Sequence, residues 1–378
     1  MTASATPRCP HFGICGGCQH QNLAYDEQLT LKRGRLATLL ESAGLAAPEI
    51  SVHAAESYEY RNRIRLRVKR VDGALRFGYN RANATDFLPI VTCPIAAPVL
   101  WKAAQALLAA AESGESAARC LGAASHVELF TSDDSERIQV TLLYEPRTAP
   151  PRGSFNDMMQ MLAQIAPQIT SAATVNYDAR TGLPGRTLES WGTNGLAYRA
   201  ADETYWISRG AFFQVNRFLI DPLVRLVCEG RSGALAWDLF AGVGLFSRIL
   251  ARSFKQVMAV EANGAAAADL RAALARLGPA HHAVQATTLE FLRGAVVQRD
   301  RPELIVLDPP RAGAGAEACE LLLRVQASHL VYVSCEPTTL ARDVAALQPH
   351  YRIATLHMVD LFPQTDHLET VVVLERNS

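Results

Sequence analysis

The sequence lacks any run of 18 uncharged apolar residues, so no segment of it is predicted to span a membrane. The first eleven residues lack the apolar stretch of a secretory signal, and the chain has no internal repeat. Net charge is also absent, because 37 basic residues balance 37 acidic ones among 378. These absences exclude membrane-spanning, collagen-like and wholly disordered proteins. We expect a cytoplasmic, monomeric, globular protein of two or three domains.

The balanced total hides a strongly basic segment. Between positions 61 and 81, eight basic residues and a single acid, Asp72, give a net charge of +7. Five of the cations alternate with Ile64, Leu66 and Val68, so a β-strand would place all five on one face. These cations are Arg61, Arg63, Arg65, Arg67 and Lys69. Because a row of like charges favours a polyanionic partner, we interpret it as an RNA-binding face rather than a merely solvated strand.

The predicted elements divide the chain into three regions. Residues 1–50 hold a group of cysteines and a helix from Tyr25 to Ala43, and residues 51–200 are rich in predicted strands. Residues 201–378 alternate strand and helix, which is typical of a parallel sheet covered by helices on both faces. We therefore predict an α/β fold with a doubly wound, Rossmann-like C-terminal domain, a central β-rich domain and an amino-terminal segment.

A glycine-containing turn follows the first predicted strand of the C-terminal domain. Gly242 and Gly244 would let the backbone turn sharply into a helix whose N-terminus faces a ligand. Glu261, at the end of the next strand, could accept hydrogen bonds from ribose hydroxyls. A dinucleotide-binding dehydrogenase would have a third glycine where this chain has Ser247. Asp238, four residues before Gly242, makes the segment similar to doubly wound methyltransferases that use S-adenosylmethionine.

Two further segments end at the same edge of the predicted sheet. Asp308 begins a stiff Asp-Pro-Pro-Arg loop, and Cys335 follows the next strand, just before a helix that a proline would begin. A helix N-terminus favours a thiolate, and a thiolate that adds to C6 of uracil makes C5 nucleophilic towards a methyl group. A base must then remove the C5 proton; Glu369, Asp366 and His367 are the candidates. A buried structural cysteine is the alternative interpretation.

Together these segments resemble the RNA uracil-C5 methyltransferase family, in particular its iron–sulfur members that act on 23S ribosomal RNA. The resemblance covers nearly the whole chain, and its matching segments are FFQVN (212–216), DLFAGVGLF (238–246), Glu261, DPPRAG (308–313), SCEPTTLARD (334–343) and DLFPQTDHLE (360–369).

The resemblance implies methyl transfer from S-adenosylmethionine to C5 of a uridine in 23S rRNA, giving 5-methyluridine. Cys335 would be the nucleophile and Glu369 the base. It further implies a set of residues around the methyl donor: Gln214, Phe240, Glu261 and Asp308. Phe213 and Asn216 would be secondary residues of the pocket.

Three of the eight cysteines crowd the first 18 residues with Cys-x5-Cys-x2-Cys spacing, and a fourth precedes Pro94. Clustered cysteines in a cytoplasmic protein favour metal binding over disulfides. Four thiolates could hold zinc or a [4Fe–4S] cluster, and His11 or His20 could join a zinc site. The resemblance favours a [4Fe–4S] cluster on Cys9, Cys15, Cys18 and Cys93, which would make residues 1–50 an iron–sulfur segment.

Three alternatives remain open. The substrate could be tRNA, although relatives specific for tRNA usually lack the cysteine group. The chain could instead be a non-catalytic RNA-binding or ribosome-assembly protein, or an iron–sulfur redox enzyme with a nicotinamide cofactor. The segment before Cys9 is too short for the small RNA-binding barrel of some relatives, so we expect the basic strand to contribute more to RNA binding.

Overall fold

The computed structural model describes residues 4–145, 148, 152–177 and 184–377, which form two large sheets and a two-stranded ribbon. The helices are α1 (Tyr25–Ser42), α2 (Pro98–Ser113), α3 (Glu115–Ala123), α4 (Ser154–Ile165), α5 (Ile220–Cys228), α6 (Ser247–Leu250), α7 (Gly264–Ala275), α8 (Thr288–Gln298), α9 (Ala316–Val325) and α10 (Pro337–Leu347). The strands are β1 (Ile50–His53), β2 (Arg63–Val71), β3 (Ala74–Asn80), β4 (Phe87–Pro89), β5 (His126–Thr131), β6 (Ile138–Tyr144), β7 (Ile169–Tyr177), β8 (Pro184–Gly192), β9 (Gly195–Ala200), β10 (Glu203–Ser208), β11 (Gly233–Leu239), β12 (Phe254–Glu261), β13 (His282–Gln285), β14 (Leu304–Leu307), β15 (His329–Ser334), β16 (Tyr351–Val359) and β17 (Glu369–Arg376).

The C-terminal sheet has eight strands in the order β1-β16-β17-β15-β14-β11-β12-β13. Its neighbouring strands are parallel except for β17, which runs antiparallel to both β15 and β16. Apolar clusters cover both faces: one includes residues of α5 and α6, and the other residues of α1, α8, α9 and α10. Burial on both faces explains why β14 and β15 read as continuous apolar runs. The predicted α/β fold is confirmed.

Two amino-terminal elements, β1 and α1, are part of the C-terminal domain: the strand joins its sheet and the helix packs against it. Strand β1 pairs with β16 at its edge, although residues from 51 onwards were predicted to start the central domain. Helix α1 packs Leu36 and Leu40 into the same apolar cluster as the sheet residues Trp237 and Leu330. The pairing of β1 could not be predicted, because its partner β16 lies some 300 residues later and leaves no local signal. The division of the chain at about residues 50 and 200 stays a prediction.

The central sheet has seven strands in the order β4-β3-β2-β5-β6-β7-β8, and α2, α3 and α4 bury its apolar face. Strand β2 alternates as predicted, with Ile64, Leu66 and Val68 buried beneath the cations. The ribbon β9–β10 lies against the C-terminal domain, where Tyr205 Oη donates a hydrogen bond to the carbonyl oxygen of Leu245 at 3.0 Å. Within the described residues, no helix is both long and apolar enough to cross a membrane.

Candidate active site

Cys335 and Glu369 come from neighbouring strands of the C-terminal sheet. Ser334 at the end of β15 pairs with Thr370 of antiparallel β17, and continuing this register by one residue sets Cys335 opposite Glu369. Cys335 is half-buried and Glu369 is buried, and the pKa of the Cys335 thiol is raised first by burial and then by the nearby Glu369 carboxylate. The structure therefore brings together the two side chains that were predicted as nucleophile and base.

The carboxyl groups at this edge lie in a strongly desolvated setting. Burial raises the pKa of Asp308, and the nearby Asp238 raises it further. Gln214 Nε2 donates a hydrogen bond to Asp308 Oδ2 at 3.4 Å, which acts in the opposite direction. Burial also raises the pKa of Glu369 well above its usual value, with Asp308 as the second cause. These mutual effects place Gln214, Asp308 and Glu369 in one site.

The protonation of Cys335 differs from the sequence-based expectation. Helix α10 begins at Pro337 as predicted, and such an N-terminus would favour a thiolate. Yet the pKa of Cys335 rises to about 11, first through burial and then through Glu369 and Asp308, against a lowering by Arg311. Burial of the thiol, together with the neighbouring acids, thus outweighs the helix N-terminus, and the thiol is the resting form at neutral pH.

The two other candidate bases are placed less well for the reaction. Asp366 is exposed and forms an ion pair with His20, Asp366 Oδ1 to His20 Nε2 being 2.7 Å, so it faces the amino-terminal segment. His367 Nε2 lies 3.3 Å from Arg311 Nη2, and burial and then Arg311 lower its pKa. The geometry favours Glu369 as the base.

The glycine turn after β11 forms a close-packed cradle. Phe240 has a left-handed backbone with φ of +64°, and Gly242 and Gly244 follow with φ of +57° and +90°. A Cβ atom on Gly244 would lie 2.7 Å from a side chain of α7, so only glycine fits there. Glu261 Oε2 accepts a hydrogen bond from the Gly242 backbone N–H at 2.8 Å, which fixes this carboxylate beside the turn. Phe240 and Glu261 thus lie where the sequence placed a nucleotide-like ligand.

Ser247, which replaces the third glycine, braces this turn. Its hydroxyl donates a short hydrogen bond to Asp238 Oδ2, and both side chains are buried. Asp238 Oδ1 has no hydrogen-bond partner within the part of the chain that the structure describes. Burial raises the pKa of Asp238 to about 7. A buried acceptor without a partner fits a ligand that brings a donor, and the serine at a glycine position was the signal for this bracing role.

The FFQVN segment is used differently from the expectation. Gln214 is buried and reaches Asp308, as the resemblance implies. Phe213 is only 2% exposed and packs in an aromatic cluster, whereas Phe212 is 61% exposed. Asn216 is fully buried and its amide donates to carbonyl groups of the loop before β17. Phe213 and Asn216 are therefore packing and loop-bracing residues, and Phe212 is the aromatic side chain that faces solvent.

The four clustered cysteines line one cavity of about 1490 Å³, together with cations of the basic strand. Burial raises the pKa of Cys18 to about 11, and the thiolates of Cys93, Cys15 and Cys9 add to this rise. Among the described residues, however, no group of three or more Cys, His, Asp or Glu side chains is arranged to hold a metal ion. The structure gathers the cysteines at one cavity without showing a metal centre.

Neither histidine near the cysteines points to zinc. His20 is paired with Asp366, as described above. His11 Nε2 accepts a hydrogen bond from the Val91 backbone N–H at 3.0 Å. Both side chains therefore have structural partners within the protein.

The cations of β2 are partly neutralised within the protein. Arg65 Nη2 lies 2.8 Å from Glu128 Oε2, and Arg63 Nη1 lies 3.8 Å from Glu128 Oε1. The guanidinium groups of Arg65 and Arg67 also lie 5.7 Å from the ring centroids of Tyr177 and Phe87, respectively. One acid balances only part of this row, so the face keeps a positive charge.

The aromatic residues near β2 in sequence are not free to stack on bases. Tyr60 and Phe77 are buried, and the Tyr58 ring is covered by Arg8, whose guanidinium carbon lies 4.2 Å from the ring centroid. Tyr177 of β7 and Phe87 of β4 instead lie beside cations of β2.

Known proteins resemble this chain over nearly its whole length. The family model described as tRNA (Uracil-5-)-methyltransferase matches residues 24–377. The 23S rRNA (uracil(1939)-C(5))-methyltransferase RlmD of Chromohalobacter salexigens is 32% identical, over 99% of this chain and 77% of its own. The RlmD protein of Klebsiella pneumoniae is 31% identical, over 98% of this chain and 81% of its own.

A solved structure agrees with this family. The tRNA (uracil-54, C5)-methyltransferase of Pyrococcus abyssi, in complex with S-adenosyl-L-homocysteine, superimposes with a TM-score of 0.75 at 26% identity. The match covers 96% of this chain and 86% of the archaeal one. The chain therefore belongs to the tRNA (uracil-5-)-methyltransferase family and is an S-adenosylmethionine-dependent RNA uracil-C5 methyltransferase.

Proposed function

We propose that the chain methylates C5 of a uridine in 23S rRNA through a transient covalent bond between Cys335 and C6 of the base. The observation that carries this proposal is the strand register that sets Cys335 opposite Glu369, with Asp308 close to both. The two RlmD relatives, named for 23S rRNA, support the choice of substrate.

The reaction balances with these two side chains. The Cys335 thiolate forms a bond to C6, and the electron pair released onto C5 takes up the methyl group. Glu369 then accepts the proton from C5, the double bond between C5 and C6 forms again, and the bond between sulfur and C6 breaks. Cys335 leaves as the thiolate while Glu369 carries the C5 proton, and transfer of this proton to the thiolate restores the resting thiol and the free carboxylate. The proton that the thiol gave up to solvent before it attacked C6 is the one proton that each methylation releases.

The methyl donor fits the cradle beside these residues. When bound, S-adenosylmethionine supplies an electrophilic methyl group on a positively charged sulfonium. Glu261 and Phe240 would hold it at the glycine turn, and Gln214 and Asp308 would hold it near the nucleophile. Burial raises the pKa of Asp308 to about 7, and a cationic donor bound beside this carboxyl group would favour its ionised form.

The target uridine must leave its stack to reach a half-buried thiol. The positive face of β2 would hold the RNA backbone, and the exposed Phe212 would lie beside the base near Gln214. RNA binding and chemistry would thus involve different sheets.

The decisive experiment maps 5-methyluridine in total RNA from cells with and without this protein. We expect the loss of one 5-methyluridine from 23S rRNA, restored by the wild-type chain and not by Cys335→Ala. An unchanged rRNA profile together with a changed tRNA profile would contradict the proposed substrate.

A tRNA substrate is the second candidate. It is favoured by the similarity to the archaeal tRNA (uracil-54, C5)-methyltransferase, which extends over 96% of this chain. The same mapping experiment separates the two candidates, because each predicts a loss in a different RNA.

We further propose that Cys9, Cys15, Cys18 and Cys93 hold a [4Fe–4S] cluster with a structural role. Support comes from their shared cavity and from their spacing. Anaerobically purified protein should contain about four iron and four sulfide per chain. Cys15→Ser should lower this content, and Cys120→Ser, at a buried cysteine of α3, should not. Zinc in place of iron would contradict the proposal.

A further inference from the structure

The loop that connects β16 to β17 ends at Glu369 and is held along its backbone. Five consecutive carbonyl groups of this loop accept hydrogen bonds from residues distant in sequence. Asn216 Nδ2 donates to the carbonyl oxygens of Asp360 and Leu361, and Lys32 Nζ donates to that of Phe362. Tyr60 Oη donates to the carbonyl oxygen of Pro363, and the backbone N–H groups of Gln19 and His20 donate to that of Gln364.

Gln364 is the most constrained residue of this loop. Its φ of +71° is a left-handed conformation that a side chain disfavours, yet Gln364 is almost fully buried. Such a backbone persists only where its surroundings hold it in place, and residues of this kind cluster at functional sites. Gln364 lies five residues before Glu369, so its conformation directs the path of the chain into β17.

Gln28 of α1 is what holds Gln364. Gln28 Oε1 accepts a hydrogen bond from the Gln364 backbone N–H at 3.0 Å, and Gln28 Nε2 donates to Gln364 Oε1 at 3.0 Å. Gln28 Nε2 also lies within hydrogen-bond distance of the carbonyl oxygens of His20 and Leu23, at 3.0 and 3.1 Å. One buried amide therefore joins α1, the cysteine-containing segment and the loop before Glu369.

Lys32, one helical turn later, supports the same loop. Its ammonium group lies 2.6 Å from Asp360 Oδ1 and 2.9 Å from the carbonyl oxygen of Phe362, and the ion pair is almost completely buried. Tyr25 Oη donates to Asp360 Oδ2 at 2.8 Å. A buried ion pair adds little net stability but selects one arrangement of its elements, which here is that of α1 and the loop.

We propose that Gln28 is a positioning residue for Glu369, acting through Gln364 to aim the carboxylate at the C5 proton. This inference rests on the proposed function, because it takes Glu369 as the base. Cys335, Phe240 and Asp308 directly follow β15, β11 and β14, and Glu261 ends β12, so their placement does not pass through this loop. Gln214 is the exception, because the nearby Asn216 contacts the start of the loop. A change at Gln28 should therefore slow the removal of the C5 proton more than the formation of the bond between Cys335 and C6.

The test uses Gln28→Leu in the full chain with RNA that contains ordinary uridine. We expect turnover to fall at least tenfold, whereas the initial rate of adduct formation stays within about twofold of the wild type. A denaturant-resistant complex of protein and RNA should accumulate, because elimination is the slowed step. A merely destabilising change would slow every step together and leave no such complex, which would overturn the inference.

Three further proteins make the result decisive. Gln139→Leu changes a buried glutamine of β6, far from the loop in sequence, and should behave as the wild type. Gln28→Glu keeps an acceptor for Gln364 but loses the donated hydrogen bonds; it serves if Gln28→Leu does not fold, and should accumulate the same complex. Glu369→Gln is the reference for a missing base. If it accumulates the complex and neither Gln28 variant does, the inference fails; if it also accumulates none, the assignment of the base fails with it.

Discussion

The edge of the C-terminal sheet and the basic face of β2 differ in how far their charged groups are exposed to water. At the sheet edge, burial raises the pKa of Asp238, Asp308 and Glu369, and like charges reinforce the effect. On β2, Arg65 and Lys69 are exposed, and Glu128 balances only part of the charge. The comparison predicts chemistry at the edge from which water is excluded and RNA recognition at the face that water reaches.

This difference has a physical basis. A desolvated carboxylate is a stronger base and a stronger attractor of a cationic ligand than one in water, but it destabilises the fold that buries it. An exposed cation costs the fold little and can exchange a water or counterion for a phosphate. Substitutions in the two regions should therefore change different measurable quantities.

The largest expected effect separates the two regions completely. Cys335→Ala should abolish methylation, because it removes the thiol that we propose to attack C6, while RNA affinity should stay within about twofold of the wild type. Methyl transfer from labelled donor and RNA binding should be measured on the same preparation. Residual methylation would contradict the covalent route, and methylation at the wild-type rate would exclude Cys335 as the nucleophile.

Asp238→Asn should show what burying a charge costs the fold. The folded pKa of about 7 lies above the ordinary value of 3.8, so native protein binds the proton more tightly, and its stability falls as pH rises between these values. Asparagine does not ionise, so the Asp238→Asn variant does not lose stability in this way as pH rises. The variant's free energy of unfolding, relative to wild type, should therefore rise by about 4 kcal/mol from pH 4 to pH 8.

Denaturant unfolding at several pH values measures this difference. Asp157→Asn is the control, because Asp157 is exposed on α4, which packs in the central domain away from the glycine turn. A pH-independent difference for Asp238→Asn would show that this carboxylate is not desolvated.

The combined change of Arg65, Arg67 and Lys69 to alanine tests the exposed region. RNA affinity should fall about tenfold or more at moderate salt, and the dependence of binding on salt should weaken, because fewer counterions are released. The rate at saturating RNA should change by less than about twofold. The same change at Arg119, Arg293 and Arg352, exposed cations elsewhere, is the control; an equal loss of affinity there would remove the special role of β2.

The smallest effect concerns the thiol itself. Asp308 is one of the groups that raise the pKa of Cys335 to about 11, so Asp308→Asn should lower that pKa. At pH 9, where the Asp308 side chain of the wild type is ionised, alkylation of Cys335 should become about threefold faster, because the thiolate fraction rises. Mass spectrometry of the peptide that contains Cys335 gives the rate, and Cys228, buried elsewhere, is the internal control. An unchanged rate would separate Asp308 from the nucleophile.

Local patterns predicted much of the fold because most elements follow them. Continuous apolar runs predicted β14 and β15, and the alternation of cations and apolar residues predicted β2 with its cations on one face. The meeting of Cys335 and Glu369 also followed, since both end or begin strands at one sheet edge. The roles of the individual site residues stay predictions, to be decided by the experiments above.

Long-range contacts were beyond the reach of these patterns. The apolar stripe of α1 gave no sign that Gln28 and Lys32 are buried, because their partners lie more than 300 residues later. Which of the adjacent Phe212 and Phe213 side chains is buried likewise depends on a distant feature, the aromatic cluster around β9 and β10. The occupant of the cysteine-lined cavity stays a prediction, because the spacing of the four cysteines suits both an iron–sulfur cluster and zinc.

The position of β17 has a consequence for biosynthesis. This strand comes last in the chain, yet it lies inside the sheet between β15 and β16 and brings Glu369 with it. During synthesis Cys335 therefore precedes Glu369, and the proposed pair of nucleophile and base can form only when β17 has inserted between β15 and β16.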